Sequence, residues 1–227
     1  ALAMKNIEAS FIFLARLFLY LRERRKMKNT LHILILFLMA TITSCSRNTI
    51  KIELPYDQMR EGDLVFRRGR NMTSNIIVAK DEYDYSHIGL LHKHDSCWYV
   101  IHAVNDEYDF PDDFDRVKID HVEKFFSDER ASAGAIVHSF IDYNTAISLS
   151  KQALEYVKDS IRFDSNFRLD DSSELYCTEL IYTLYKKINV DITEGRRSKA
   201  GMFGFPDEII FPSDILKNKK LEMFFVF

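Results

Sequence analysis

The run "SHIGLLHKHDSCWYVIHAV", residues 86–104, narrows the possible folds more than any other part of this 227-residue chain. Two stretches rich in Ile, Leu, Val, Trp and Tyr, residues 86–93 and 97–104, flank the short polar link "HDS". This pattern reads as two antiparallel strands joined by a tight turn. A hairpin cannot bury an apolar face by itself, so further strands and a covering layer are required. "GDLVFRRG" (62–69) supplies one strand, "GAIVHSFI" from Gly134 another, and the closing "LEMFFVF" a third. The cover is helical. Ala146, Leu149, Ala153, Leu154 and Val157 keep helical spacing in a segment capped by Asn144 or Thr145, and Leu180, Ile181, Leu184 and Ile188 do so after Cys177. Short helices are expected at "NMTSNIIVAK" (capped by Asn71 or Thr73), at "IDHVEKFF" from Ile119 and at "FPSDILKN". The fold class is α+β, an antiparallel sheet packed against helices.

Residues 1–58 stand apart from this domain, which is expected to run over 59–227. From Met27 the chain reads "MKNTLHILILFLMATITSC": a lysine, an apolar run from Leu31 to Ile42, and small polar residues ending at Cys45. The run is too short to span a bilayer and has the layout of a secretory signal, residues 27–45. Its end, "ITSC", resembles a bacterial lipobox, which makes Cys45 a lipidation site. Residues 46–58 are read as a polar tether. Residues 1–26, with the basic cluster "RERRK", read as an upstream extension or expression remnant. The implied location is the bacterial cell envelope, a periplasm-facing lipoprotein held to the membrane through Cys45.

Net charge of -3 and a pI near 6.2 give no electrostatic case for nucleic acid, and no nucleic-acid partner is expected. Three cysteines cannot form a disulfide framework and match no zinc spacing. The acidic stretch "NDEYDFPDDFD" (105–115) lacks the glycine and distal glutamate of a calcium loop, and reads as a solvated loop. Neither metal nor cofactor is implied. Cys97, beside Trp98, is expected to pack as a hydrophobe.

Cys177 opens a helix, where free N–H groups and the helix dipole lower a thiol pKa. A buried small residue would occupy the same place equally well. A nucleophilic thiol needs a base and a group that orients the base. His87 and His102 lie on the two hairpin strands and meet at one end if those strands pair. His92 and His94 fall near the turn and read as exposed, while His121 and His138 have no evident partner.

The order "GDLVFRR", "SHIGLL", "YVIHAV", "LYCTELIYTLY", "FPSDIL" resembles the circularly permuted, NlpC-type branch of the papain-like superfamily, in particular the YiiX/YaeF-like amidases. The resemblance runs from about Met59 to the end and implies a permuted papain-like fold with the nucleophile at a helix N-terminus. It implies Cys177 as nucleophile, His87 as general base and His102 as the third polar residue. Relatives of this kind commonly carry glutamate in that third place ("IEA"), whereas this chain has "IHA". Histidine there is also found in ordinary NlpC-type peptidases and the lecithin:retinol acyltransferase group. Tyr176 and the Cys177 N–H are expected to supply oxyanion donors, with Tyr56 a weaker candidate. The implied activity is a cysteine hydrolase, cleaving amide or ester bonds of cell-wall peptides or of acylated lipids and amino acids through an acyl-enzyme. The alternative is a lipid- or ligand-binding papain-fold lipoprotein with little catalysis, its apolar pocket lined by Phe203, Phe205 and Phe211.

Overall fold

A computed structural model describes residues 52–169, 173–199, 201 and 206–227, which lie within one compact unit, Ile50–Phe227. Six strands form one sheet: β1 (Leu64–Gly69), β2 (His87–His94), β3 (Cys97–Val104), β4 (Arg116–His121), β5 (Ala131–His138) and β6 (Glu222–Val226). Their spatial order is β4-β3-β2-β1-β5-β6, with every neighbouring pair antiparallel. The hairpin closes at the His94–Cys97 pair around Asp95, whose φ of 53° supplies the left-handed turn that hairpins of this length favour.

Strand β4 corrects the reading of this stretch as a helix from Ile119. "RVKIDH" alternates along the pleat: Val117 and Ile119 face the helix layer, while Lys118 and Asp120 are buried from the opposite face. Only Val122–Phe125 turn into a helix, α2. The other helices are α1 (Met72–Val78), α3 (Tyr143–Lys158), α4 (Cys177–Lys187) and α5 (Pro212–Leu216). Asn71 caps α1, accepting from Ser74 N at 2.8 Å. The cap of α3 is Asp142, not Asn144 or Thr145. Its carboxylate accepts from both of their N–H groups, at 3.0 and 3.1 Å, because its extended backbone (ψ 163°) aims the side chain over the first turn.

One core cluster joins Leu149 and Ala153 of α3 and Leu180, Ile181 and Leu184 of α4 to the sheet residues Leu64, Phe66, Ile88, Leu90 and Ile101. The second covers the other face, with Val65, Leu91, Val100 and Ile136 under Met59, Val122, Phe125 and Phe126. Leu54 is also buried there, so part of the expected tether packs onto the domain. Gly62 (φ +80°) lets α3 approach, since a Cβ there would stand 2.7 Å from that of Ala146. Next to it, Asp63 receives His138 Nδ1 (3.0 Å), Arg60 N (2.9 Å) and Ser139 N (3.2 Å), joining the start of β1 to the end of β5 and giving His138 a partner. No helix among the described residues is long and apolar enough to cross a membrane.

Candidate active site

At one end of the sheet, β1 and β3 end, β2 begins, and the N-terminus of α4 arrives from the helix layer. A cavity of about 390 Å³ opens there, and its walls include Arg67, Ser86, His87, Glu107, Arg130 and Cys177. The acidic stretch 105–115 borders this site through Asp106, Glu107 and Tyr108.

His87 and His102 stand two rungs apart on the same face of the hairpin, and His87 Nε2 lies 2.8 Å from His102 Nδ1. Gly89 sits between them on that face. A Cβ there would meet the Val100 side chain and stand 3.2 Å from the His102 Cβ, so the missing side chain makes room for the paired rings. Behind them, His102 Nε2 is 3.2 Å from Asp120 Oδ2. The β3–β4 register, Val100 opposite Asp120 and His102 opposite Lys118, puts this carboxylate on the same face as the rings. Sequence reasoning missed Asp120. The signal was present in the alternation of Val117 and Ile119 with Lys118 and Asp120.

Burial decides the resting protonation. It pushes the Cys177 thiol up to about 11, against the Ile88 N–H, the N–H groups of the first α4 turn, and the Arg67 charge. The helix N-terminus therefore does not produce the lowered thiol pKa expected from sequence; removal from water outweighs it. His87 is held well below the ordinary histidine value, by burial first and then by Arg67 and His102. His102 is lowered for the same leading reason, against the pull of Asp120. The resting pair is a thiol and a neutral imidazole. For Asp120, burial acts to raise the pKa, but His102, Lys124 and Lys118 together hold it far below the carboxylate range.

Fixed cations surround these groups. Arg67, 2% exposed, binds Glu107 and the Phe125 carbonyl (2.9 Å) and stacks over the Phe125 ring. Arg130 Nη1 bridges Glu107 Oε2 and Asp120 Oδ2, 2.7 Å from each. Lys118 holds Asp109 at 3.0 Å, and Lys124 binds both Asp109 and Asp120. The acidic loop is thus anchored and partly neutralised rather than simply solvated.

Several expected residues lie elsewhere. The Tyr176 hydroxyl accepts from Ile210 N at 3.1 Å, deep in the core, because the residue before α4 turns inward to hold the segment leading into α5. Tyr56 donates to Glu123 at 2.8 Å. Neither lines the cavity. Phe211 is buried in the helix-side core, while Phe203, Phe205 and Cys45 fall outside the described residues. Cys97 is exposed, since it abuts the hairpin turn and Trp98 takes the buried place. His92 is partly buried against Glu61 at 2.9 Å, whereas His94 is open to solvent as expected.

No curated protein matches the sequence. Among solved structures, the chain is similar to one described as the metalloprotein yiiX from Escherichia coli O157:H7. The identity is 17% and the TM-score 0.60, covering 74% of this chain and 97% of that one. Among the described residues no group of three His, Cys, Asp or Glu side chains is placed to hold a metal. Both His102 nitrogens are engaged, and Asp120 is already surrounded by cations. Residues 58–223 match the family model described as "permuted papain-like amidase enzyme, YaeF/YiiX, C92 family". With its α+β sheet, and a cysteine that opens a helix and lines one cavity with the buried His87, the chain belongs to this family of permuted papain-like amidases.

Proposed function

We propose that Cys177, His87 and His102 carry out cysteine-dependent hydrolysis of amide bonds in small, polar, peptide-like substrates, on a protein tethered to the bacterial envelope through a lipidated Cys45. The observation carrying this reading is the 2.8 Å contact between His87 Nε2 and His102 Nδ1, at the wall of a cavity that Cys177 also lines. His87 Nδ1 takes the thiol proton as sulfur attacks the carbonyl, and the N–H of Cys177 at the head of α4 faces the developing oxyanion. His87 then returns the proton to the leaving amine as the C–N bond breaks. Water, deprotonated by the same ring, hydrolyses the thioester and frees Cys177.

The wall combines charged and hydroxyl groups, among them Arg67, Arg70, Ser74 and Glu129, with the apolar Ile77 and Phe163, and the charged groups are what favour a peptide over a long acyl chain. The ligand-binding alternative has one observation on its side, the thiol pushed up to about 11. A general base working only during attack answers it, because no standing thiolate is then required.

The test is to incubate the full chain with cell-wall peptide fragments and, separately, with N-acyl amino acids and lipid esters. We expect peptide cleavage, a transient acyl adduct on Cys177 by intact mass, and loss of both in Cys177→Ala and His87→Gln. Turnover that persists in Cys177→Ala rejects the mechanism, and preferential cleavage of long-chain substrates rejects the substrate class. Fatty-acid labelling of wild type and not of Cys45→Ala is the outcome expected for the anchor, and a single chain would hold the membrane only weakly.

A further inference from the structure

We infer that Asp120 is a positioning residue: acting through His102, it fixes which nitrogen of His87 carries the proton and leaves His87 Nδ1 bare to accept the thiol proton. This rests on the reading of Cys177 and His87 as nucleophile and base, and adds a residue that reading does not use.

Hydrogen-bond polarity is transmitted along three side chains, Asp120, His102 and His87. Asp120 is 3% exposed, with Arg130 Nη1 and Lys124 Nζ each 2.7 Å from its oxygens and Lys118 Nζ at 3.6 Å. A carboxylate among three cations is ionised, and an ionised carboxylate only accepts. The 3.2 Å contact with His102 is therefore donated by His102 Nε2–H. The opposite assignment would set a nitrogen lone pair against a carboxylate oxygen. A neutral imidazole has one N–H, so His102 Nδ1 must accept. The 2.8 Å contact is then donated by His87 Nε2–H, and the lone pair of His87 falls on Nδ1. No described group hydrogen-bonds to that nitrogen, and the ring lines the same cavity as Cys177.

In the attack step the S–H bond breaks, a proton bonds to His87 Nδ1, and the sulfur keeps the electron pair that forms the S–C bond. The imidazolium retains its Nε2–H toward His102 Nδ1, while Asp120 stays ionised and supplies the negative charge that stabilises it through the intervening ring. The other charged or titratable groups around the two rings are Arg67 of β1, Glu107 of the loop after β3, Lys118 of β4, Lys124 of α2, Arg130 before β5, and Cys177 of α4.

The test reads proton positions directly. The full chain is labelled with 15N-histidine, and long-range 1H–15N correlations near pH 7.5 assign the tautomer of each ring without substrate. In wild type we expect Nε2–H on both His87 and His102. Asp120→Asn and Asp120→Leu should bring in Nδ1–H forms of both rings and lower kcat on the order of 10²–10⁴-fold, with KM changed about threefold or less. Cys177→Ala should abolish hydrolysis and leave both tautomers as in wild type. Nδ1–H on His87 in wild type overturns the inference with no variant needing to fold. So does an unchanged His87 tautomer in both Asp120 variants, or full kcat in them while Cys177→Ala is dead. A wild type with the expected tautomers that cleaves no amide substrate overturns the hydrolase reading instead, and leaves the proton placement standing.

Discussion

Cys177 brings two opposing effects onto one sulfur atom. Its place at the head of α4 provides N–H donors and a favourable dipole, yet it is 5% exposed and loses nearly all hydration of a thiolate. Burial prevails, and the thiol sits at about 11 rather than at the 9.0 of an open cysteine. The urea-unfolded chain provides the reference, because its cysteines regain that hydration. Because only the thiolate alkylates, two pH units correspond to a rate difference of about 10²-fold. At pH 7 iodoacetamide should therefore modify Cys177 about a hundred times more slowly in the native protein than in the urea-unfolded chain, with the native rate still climbing toward pH 11. Peptide mass spectrometry over a time course measures the Cys177 rate in each state, and equal rates would show that the helix terminus governs the sulfur. The cysteine's position was legible from "LYCTELIY"; its protonation was not, because desolvation depends on everything packed around the site.

Among the elements, those with strong periodicity were legible and those resting on one or two polar contacts were misplaced. The hairpin, β1, β6 and the two long helices formed where apolar spacing put them, and β5 begins three residues before the Gly134 read as its start. Strand β4 was read as a helix because "IDHVEKFF" contains a real helical turn, and its charged inner face disguised the alternation. That face is the part that matters to the site, since Lys118 and Asp120 are buried beside His102 by the register. The α3 cap was displaced by two or three residues for a related reason. Asp142, Asn144 and Thr145 can all cap, and only backbone geometry selects one. Asp142→Ala should lower the urea unfolding midpoint, and Asn144→Ala should lower it less, because only Asp142 accepts from the first-turn N–H groups. The reverse ranking would restore the cap read from sequence.

Across the whole molecule, the site places ionisable groups where water would otherwise stabilise them, and this sets the dependence of stability on acid. His87 and His102 have native pKa values depressed chiefly by burial, so the unfolded chain binds protons near pH 6.5 that the native state does not. Their contribution to stability is present above pH 6.5 and is lost as pH falls below it. Asp120, also depressed, adds its own loss as pH falls below about 4, the unfolded carboxylate value. Between pH 7.5 and 5.5 the melting temperature should fall, with a limiting slope of about 1.4 kcal/mol per pH unit for each histidine. The fall should be shallower in His87→Gln, and a melting curve indifferent to pH in both proteins would contradict buried neutral rings. By itself the sequence determined the strands and helices with clear period, the arrival of a cysteine at a helix start, and the family through its order of motifs. These are local properties, carried by spacing and turn chemistry. Only the tertiary structure decided that Asp120 stands behind His102, that Tyr176 points into the core, and that the thiol is protonated. Register, sheet face and loss of water are set by residues far apart in the chain, and no local pattern encodes them.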